Sequence, residues 1–528
     1  MKRTIILLTW AVLMSSGLAQ EFDPYLDGWH FSNWGETGSN CIDSCDFSWE
    51  LFRQTYLGVN PTHDCVTAHF DCAFYEIFKN CASGGNCGGM SLLGLSLFKY
   101  GGYFGFCSPA KFYTGVVGPD REDLHRAINI MQARQFSAPG VQNFIDRSNA
   151  GELNNAEAAY ADIKECLAKN DYPVISIANT FWGESAHTLI PYRLEQSGGT
   201  KYIYVWDPNN PYDKDPSRYA PGSTSNRIVV NSAIDWSYAT GDGSTTYSGL
   251  GAGGWCFCIP MSLVRPKARH PLAMDMLITG LMTFFVSGPG CAVSQIEDED
   301  GHRFYKSEMD IQTQRNNIEN DPDKKIVDMV RWPWYGQFQR NKDGRQNLPG
   351  ELYFIRTHRG QAKDLKIVFY GQSYDAVIAC QTDLIKIKSV ASLPGKDVIK
   401  LQHLSTASQT VAIETRAMQR TVAVEQLRSD ISGENWRSLN VSNLKVNQNQ
   451  PVQIRAIGDL EAVHVTSPQT ETVFDLEIQQ RMEGSVQTKQ IRQIRVPSGQ
   501  SLRIAPENWN DLNKTDIKPE VLQLKQRK

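Results

Sequence analysis

Apolar residues at Met90, Leu93, Leu97 and Phe98 fall three and four positions apart, so the spacing predicts a helix over 87–99 that stops at Gly101-Gly102. The stretch "NNAEAAYADIKECLAKND" (154–171) is built of strong helix formers and predicts a second helix. The period then changes. "YPVISIAN" (172–179) is a short continuous apolar run, the mark of a buried strand. In "AHTLIPYRLEQSGGTKYIYVWDPNNP" (186–211) two strands flank a turn at Ser197-Gly198-Gly199, a hairpin signature. A four-residue loop at 196–199 pairs 195 with 200 and sets His187 opposite residue 208, within a register step or two. "NRIVVN" (226–231) and "WCFCIPMSLV" (255–264) predict further strands.

Past "RPKARHP" (265–271) the texture changes. Helical stripes become scarce and β-branched runs take over: "DLKIVFYG" (364–371), "YDAVIAC" (374–380), "TVFDLEIQQ" (472–480) and "QIRQIRVPSGQSLRIAP" (490–506). The expected organisation is an α+β domain over 20–265, followed by an all-β, sandwich-like region over 270–528. The latter would hold one or two sandwich modules to about residue 510 and end in the polar tail "KPEVLQLKQRK" (518–528).

Two apolar runs bear on location. "MKRTIILLTWAVLMSSGLAQ" has a charged start at Lys2 and Arg3, a short apolar stretch, and small residues at Gly17 and Ala19. It reads as a signal peptide over 1–19 and predicts a secreted or periplasmic protein. "PLAMDMLITGLMTFFVS" (271–287) is too short to cross a bilayer and carries Asp275, so it predicts a buried strand or core helix and no membrane span after signal removal. A length of 528 residues, 41% of them hydrophobic, allows more than one real core. The net charge of −4 holds no basic excess and argues against a nucleic-acid partner.

Export changes the meaning of the 12 cysteines, which are then expected to form disulfides. "CIDSC" (41–45) and "HDCVTAHFDC" (63–72) fit no standard zinc spacing, so no metal is expected, and no motif asks for a cofactor.

One cysteine stands apart. In "SGGNCGGMSLLGLSLF" (83–98), Cys87 lies between an asparagine and a glycine pair and leads straight into a helix. Asn86 is a preferred N-cap type, which puts Cys87 in the first turn, where free N–H groups and the helix dipole favour a thiolate. Gly88 and Gly89 are expected to leave the surface bare for a substrate carbonyl, with the Cys87 N–H as oxyanion donor. A thiolate nucleophile needs a base and an orienter. His187, opening its strand after a Gly/Ser loop, is the best-placed of the ten histidines. The hairpin brings both Asp207 and Asn209 beside it, and either side chain suits the orienting role.

The order of cysteine, histidine opening a strand, and Asp or Asn ending the next resembles that of papain-like cysteine peptidases. "GNCGGMSLL", "HTLIPYRLE" and "YVWDPNNP" look like a secreted bacterial branch, similar in His/Asp layout to bacteriocin-processing peptidases. The resemblance covers roughly 20–265. It implies a papain-like catalytic domain with Cys87 as nucleophile, His187 as base and Asp207 as orienter. Charge points the same way, since a carboxylate stabilises imidazolium and an amide does not. One departure stands out: many relatives carry a Gln about six residues before the nucleophile, where this chain has Cys81. Asn80 is the nearest amide for that oxyanion role.

The leading expectation is therefore an exported cysteine peptidase or amide hydrolase acting on a protein or peptide through an acyl-thioester. The alternatives are a transglutaminase-type acyl transferase on the same fold, and a non-catalytic binding protein in which Cys87 is disulfide-bonded. A glycan or protein ligand is the expected partner of the β-rich region.

Overall fold

The computed structural model of the protein describes residues 21–35, 47–79, 81–82, 84–180, 186–240, 245–250, 253–288, 291–305, 329–332, 350–357, 362–467, 469–512, 514–517 and 519–523. The signal-peptide segment, Cys41, Cys45 and Asn80 lie outside the described residues.

The first region mixes helices with a curled antiparallel half-barrel. Its helices are α1 (Trp49–Thr55), α2 (His69–Phe78), α3 (Cys87–Tyr100), α4 (Glu122–Arg134), α5 (Ala138–Asn149) and α6 (Ala156–Ala168). A small ribbon, β1 (Gly102–Tyr103) and β2 (Phe106–Cys107), follows α3. The half-barrel holds β3 (Pro173–Ile177), β4 (His187–Ser197), β5 (Thr200–Trp206), β6 (Arg227–Val230), β7 (Trp236–Ala239), β8 (Thr246–Ser248) and β9 (Cys256–Pro260). Their order in the sheet is β8-β7-β6-β5-β4-β3-β9.

Helix α3 is more deeply set than a one-sided stripe predicts. Every residue from Cys87 to Leu97 is buried, as in a helix covered on all sides. Gly101 ends it in the left-handed conformation at φ 72°, which glycine adopts without strain. On one side α3 packs against α4, on the other against β4. There Ser91 Oγ donates to the Thr188 carbonyl at 3.3 Å, and Trp29 Nε1 donates to the Met90 carbonyl at 2.8 Å.

The hairpin forms, with a register that differs from the expected one. Its loop has two residues, Gly198 and Gly199, because Ser197 pairs with Thr200. A bulge between Pro191 and Arg193 then moves the register back, so that Ile190 pairs with Trp206. The two differences nearly cancel at the open end, and Asp207 still arrives beside His187.

The 271–287 run resolves into a short helix followed by a strand: α8 (Met274–Thr279), which comes after α7 (Met261–Val264), leads into β10 (Leu281–Ser287). Among the described residues no helix is long and apolar enough to cross a membrane. From β10 onward the chain forms a large all-antiparallel β region. Its longest strand, Asp383–Gln402, pairs over 397–402 with Thr410–Thr415 and over 383–391 with Gln419–Ser429. The side chain of Arg420, fully buried, locks this crossing by donating to the carbonyls of Gly371, Gln372 and Gly395 and pairing with Asp397. The expected polar tail is partly a strand, since Glu520–Gln523 pairs with Gln500–Arg503.

One buried cluster spans the change of texture at 265–271, while two others lie wholly on one side of it. Val330, Trp332, Leu352, Phe354 and Trp436 of the β region belong to one buried cluster with Phe136 and Phe144 of the first region. Trp332 packs 4.9 Å from Phe136 and 5.3 Å from Phe144, centroid to centroid. Trp436 Nε1 donates to the Val66 carbonyl at 2.9 Å, within a loop closed by the Cys65–Cys72 disulfide.

Candidate active site

Cys87 is the first residue of α3, where no earlier turn can accept its N–H. Asn86 sits at the N-cap position, but its side chain makes no cap bond. The work passes to α4: Gln132 Oε1 accepts the Gly89 N–H at 2.8 Å. Asn86 Nδ2 instead reaches the Trp34 carbonyl at 3.4 Å, leaving its Oδ1 buried and unpaired.

The glycine pair has a different purpose from the expected one. Neither glycine lines an open surface; both are buried. A Cβ on Gly89 would lie 2.2 Å from the Ile128 carbonyl oxygen, and one on Gly88 would lie 1.9 Å from Gln135 Nε2. The glycines let α3 and α4 approach closely, and that approach sets the position of the Cys87 backbone.

His187 opens β4 and pairs with Ile177 of β3. Its Nε2 lies 2.7 Å from Asp207 Oδ1, with both side chains buried. That leaves Nδ1 on the side of the thiol, and Cys87 and His187 are close enough to shift each other's titration. Asp207 follows the last residue of β5 and is saturated with donors. Oδ1 also accepts the Asn209 N–H at 2.8 Å, while Oδ2 accepts from Tyr238 Oη at 2.7 Å and Asn210 Nδ2 at 3.1 Å.

Of the two candidate orienters, the structure places Asp207 on the histidine. Residues 207–210 turn, with the Asn210 N–H on the Asp207 carbonyl at 2.9 Å, so the alternation of an extended chain is lost. The Asn209 side chain points to Asn33, whose Nδ2 donates to it at 2.9 Å. Asn33 is a clamp that sequence reasoning missed: its Oδ1 also accepts the Asn86 N–H at 2.8 Å, joining the nucleophile's loop to the Asp207 loop.

The electrostatics follow from these contacts. Burial pushes the Cys87 thiol up, but the hydrogen bond and charge of His187, with the N–H groups of Thr188 and Gly88, outweigh it and bring the thiol below its ordinary value. Burial opposes the His187 imidazolium, yet the charge and hydrogen bond of Asp207, followed by those of Cys87, lift it well above the usual histidine range. Burial would raise the Asp207 carboxyl; His187, Tyr238 and Asn210 together hold it far below the usual carboxylate range. Cys87 forms no disulfide. Both shifts favour a thiolate–imidazolium pair on a fixed carboxylate, an arrangement suited to attack on an electrophilic carbon and return of a proton.

No family model, curated protein or solved structure matches this chain. The site therefore has to be read from its own geometry.

Two clusters of metal-type side chains lie among the described residues. His63, Cys65 and Cys72 lie close together, but the two cysteines are joined as a disulfide. Asp298, Asp300 and His302 form a turn in which Asp298 Oδ1 accepts the N–H groups of Asp300 and His302 and Oδ2 lies 3.0 Å from His302 Nδ1.

Proposed function

We propose that the chain is an exported cysteine peptidase or related amide hydrolase of papain-like type, acting on a protein or peptide. The observation that carries this reading is His187, held on one ring nitrogen by buried Asp207 and electrostatically coupled to Cys87 at the start of a helix. Cys87 Sγ attacks the amide carbon, and the C=O electron pair moves to oxygen, where the Cys87 N–H can meet it. The His187 imidazolium protonates the leaving nitrogen as the C–N bond breaks, leaving an acyl-thioester. Water then attacks, His187 takes its proton, and the thiolate departs to restore the pair.

The burial of Cys87 and His187, 8% and 3% exposed, favours a second reading. A thioester shielded from water can pass its acyl group to an amine instead, as in a transglutaminase-type transfer. The β-rich region is assigned a glycan or protein ligand, supported by an open groove of mixed polar and apolar lining that includes Gln419, Asn443, Asn447, Gln493, Val473 and Phe474.

The test is turnover of a mixed peptide library by the wild type and Cys87→Ser, with and without an added primary amine. Cleaved peptides that disappear in the variant support hydrolysis, and amine-capped products support transfer. Equal turnover by both proteins would refute either reading.

A further inference from the structure

Behind His187 and Asp207 lies a buried cation that proton transfer at Cys87 does not require. Arg218 sits in a short 3-10 turn, Pro216–Tyr219, between β5 and β6, and its side chain is sealed from solvent. Nη2 donates to Tyr238 Oη at 2.6 Å and to the Ala239 carbonyl at 3.2 Å, and lies 4.0 Å from Asp207 Oδ2. Nε and Nη1 find no hydrogen-bond partner. Burying a guanidinium with two idle donors is costly, and the fold tolerates it at this one carboxylate.

The chemistry of the donors sets a direction. A guanidinium can only donate, so the Tyr238 oxygen accepts from Arg218 and its single proton goes to Asp207 Oδ2 at 2.7 Å. Asp207 can then only accept, and the proton between it and His187 belongs to His187 Nε2. The polarity runs from Arg218 through Tyr238 to Asp207, and from His187 to Asp207.

We propose that Tyr238, held by Arg218, is a positioning residue for the thiol chemistry of Cys87: it keeps Asp207 an oriented carboxylate and thereby fixes which nitrogen of His187 carries the proton toward it. The inference rests on the reading of Cys87 and His187 as nucleophile and base. It also gives the buried set a charge balance. Asp207 and Arg218 cancel, so the thiolate and imidazolium form a second neutral pair. Among the described residues the other titratable groups facing this set are phenols. Tyr219 and Tyr247 face Asp207, and Tyr247 also faces His187 and Cys87. Tyr192 faces Arg218. Burial pushes all three upward, as it does Tyr238, so none of these phenols ionises near neutral pH.

The experiment is the rate of Cys87 alkylation by iodoacetamide in the full chain over pH 4–9, with melting temperature measured alongside. Tyr238→Phe removes one donor from Asp207 and keeps the ring. Without that tether the carboxylate is free to turn away from His187, which outweighs its gain in basicity, so it supports imidazolium less and the acid limb moves up by roughly one pH unit. On any peptide found as substrate, kcat falls about tenfold with KM unchanged. Because Arg218 acts through Tyr238, adding Arg218→Lys to Tyr238→Phe moves the limb no further. Lost stability lowers the amount of folded protein but leaves the limb where it was. An unshifted limb in folded Tyr238→Phe overturns the proposal, and a further shift in the double variant overturns the part assigned to Arg218. A wild-type limb at the ordinary thiol value would instead overturn the reading of Cys87 itself.

Discussion

His187 Nε2 and Asp207 Oδ1 meet at 2.7 Å with neither side chain open to solvent, while the Asn209 side chain, two residues along, turns away to Asn33. Asp207→Ala is therefore expected to lower kcat on the order of 10²-fold or more with little change in KM. Asn209→Ala, which leaves the Asn209 N–H on Asp207, should cost less than about tenfold apart from any loss of stability. Steady-state kinetics of the two variants over pH 4–9 check this. The reverse order of effects would move the orienting role to the amide.

The pKa shifts set the width of the pH profile. A lowered Cys87 keeps the thiolate as pH falls below the ordinary thiol value, and a raised His187 keeps the imidazolium as pH rises above the ordinary histidine value. Activity is thus expected across neutral pH, lost on the acid side as Cys87 gains a proton and on the alkaline side as His187 loses one. Asp207→Asn removes the carboxylate charge, so the histidine value falls, the thiol value rises, and the profile narrows from both sides. A variant profile as broad as the wild type would show that the charge of Asp207 is not what sustains the pair.

Gly88 and Gly89 are expected to differ under substitution. Gly89→Ala places a Cβ against the main chain of α4, which cannot yield, and should cost about 1–3 kcal/mol in thermal or chemical unfolding. Gly88→Ala meets the end of the Gln135 side chain. Gln135→Ala should therefore rescue Gly88→Ala and leave Gly89→Ala unchanged. Equal rescue of both would mean that the helices are not held as close as described.

The Cys65–Cys72 loop receives Trp436 from the β region. Replacing both cysteines by serine frees the short loop in the unfolded chain and should lower stability by about 2–3 kcal/mol. Since the loop and the β region share a core, the change should appear in near-UV signals from both regions at one midpoint. Two separated transitions with only the first displaced would contradict the shared core.

How much of this is legible in the sequence depends on the range of the interaction. The helix that carries Cys87 is readable because its apolar period and its Gly101 stop are local. The strand order around His187 is readable because Gly198-Gly199 marks the turn. The bulge at Pro191–Arg193 is not readable, as it alters register without altering the alternation on either side. The glycine pair is visible as a pattern, but its reason lies in the main chain of α4, some forty residues away. Asn33, Arg218 and Tyr238 give no local signal at all. Each belongs to the site through hydrogen bonds across the fold, and an isolated asparagine, arginine or tyrosine carries no mark of such bonds.

The central claim, that His187 activates Cys87 as a nucleophile, is tested most directly by brief iodoacetamide treatment of the native protein at pH 6, followed by peptide mass spectrometry. Cys107, an exposed thiol among the described residues, serves as internal comparator. The expected result is selective label on Cys87, at least about tenfold faster than on Cys107, with that advantage lost in His187→Ala. Label on Cys107 in preference to Cys87, or Cys87 labelling that is indifferent to the loss of His187, would contradict the claim.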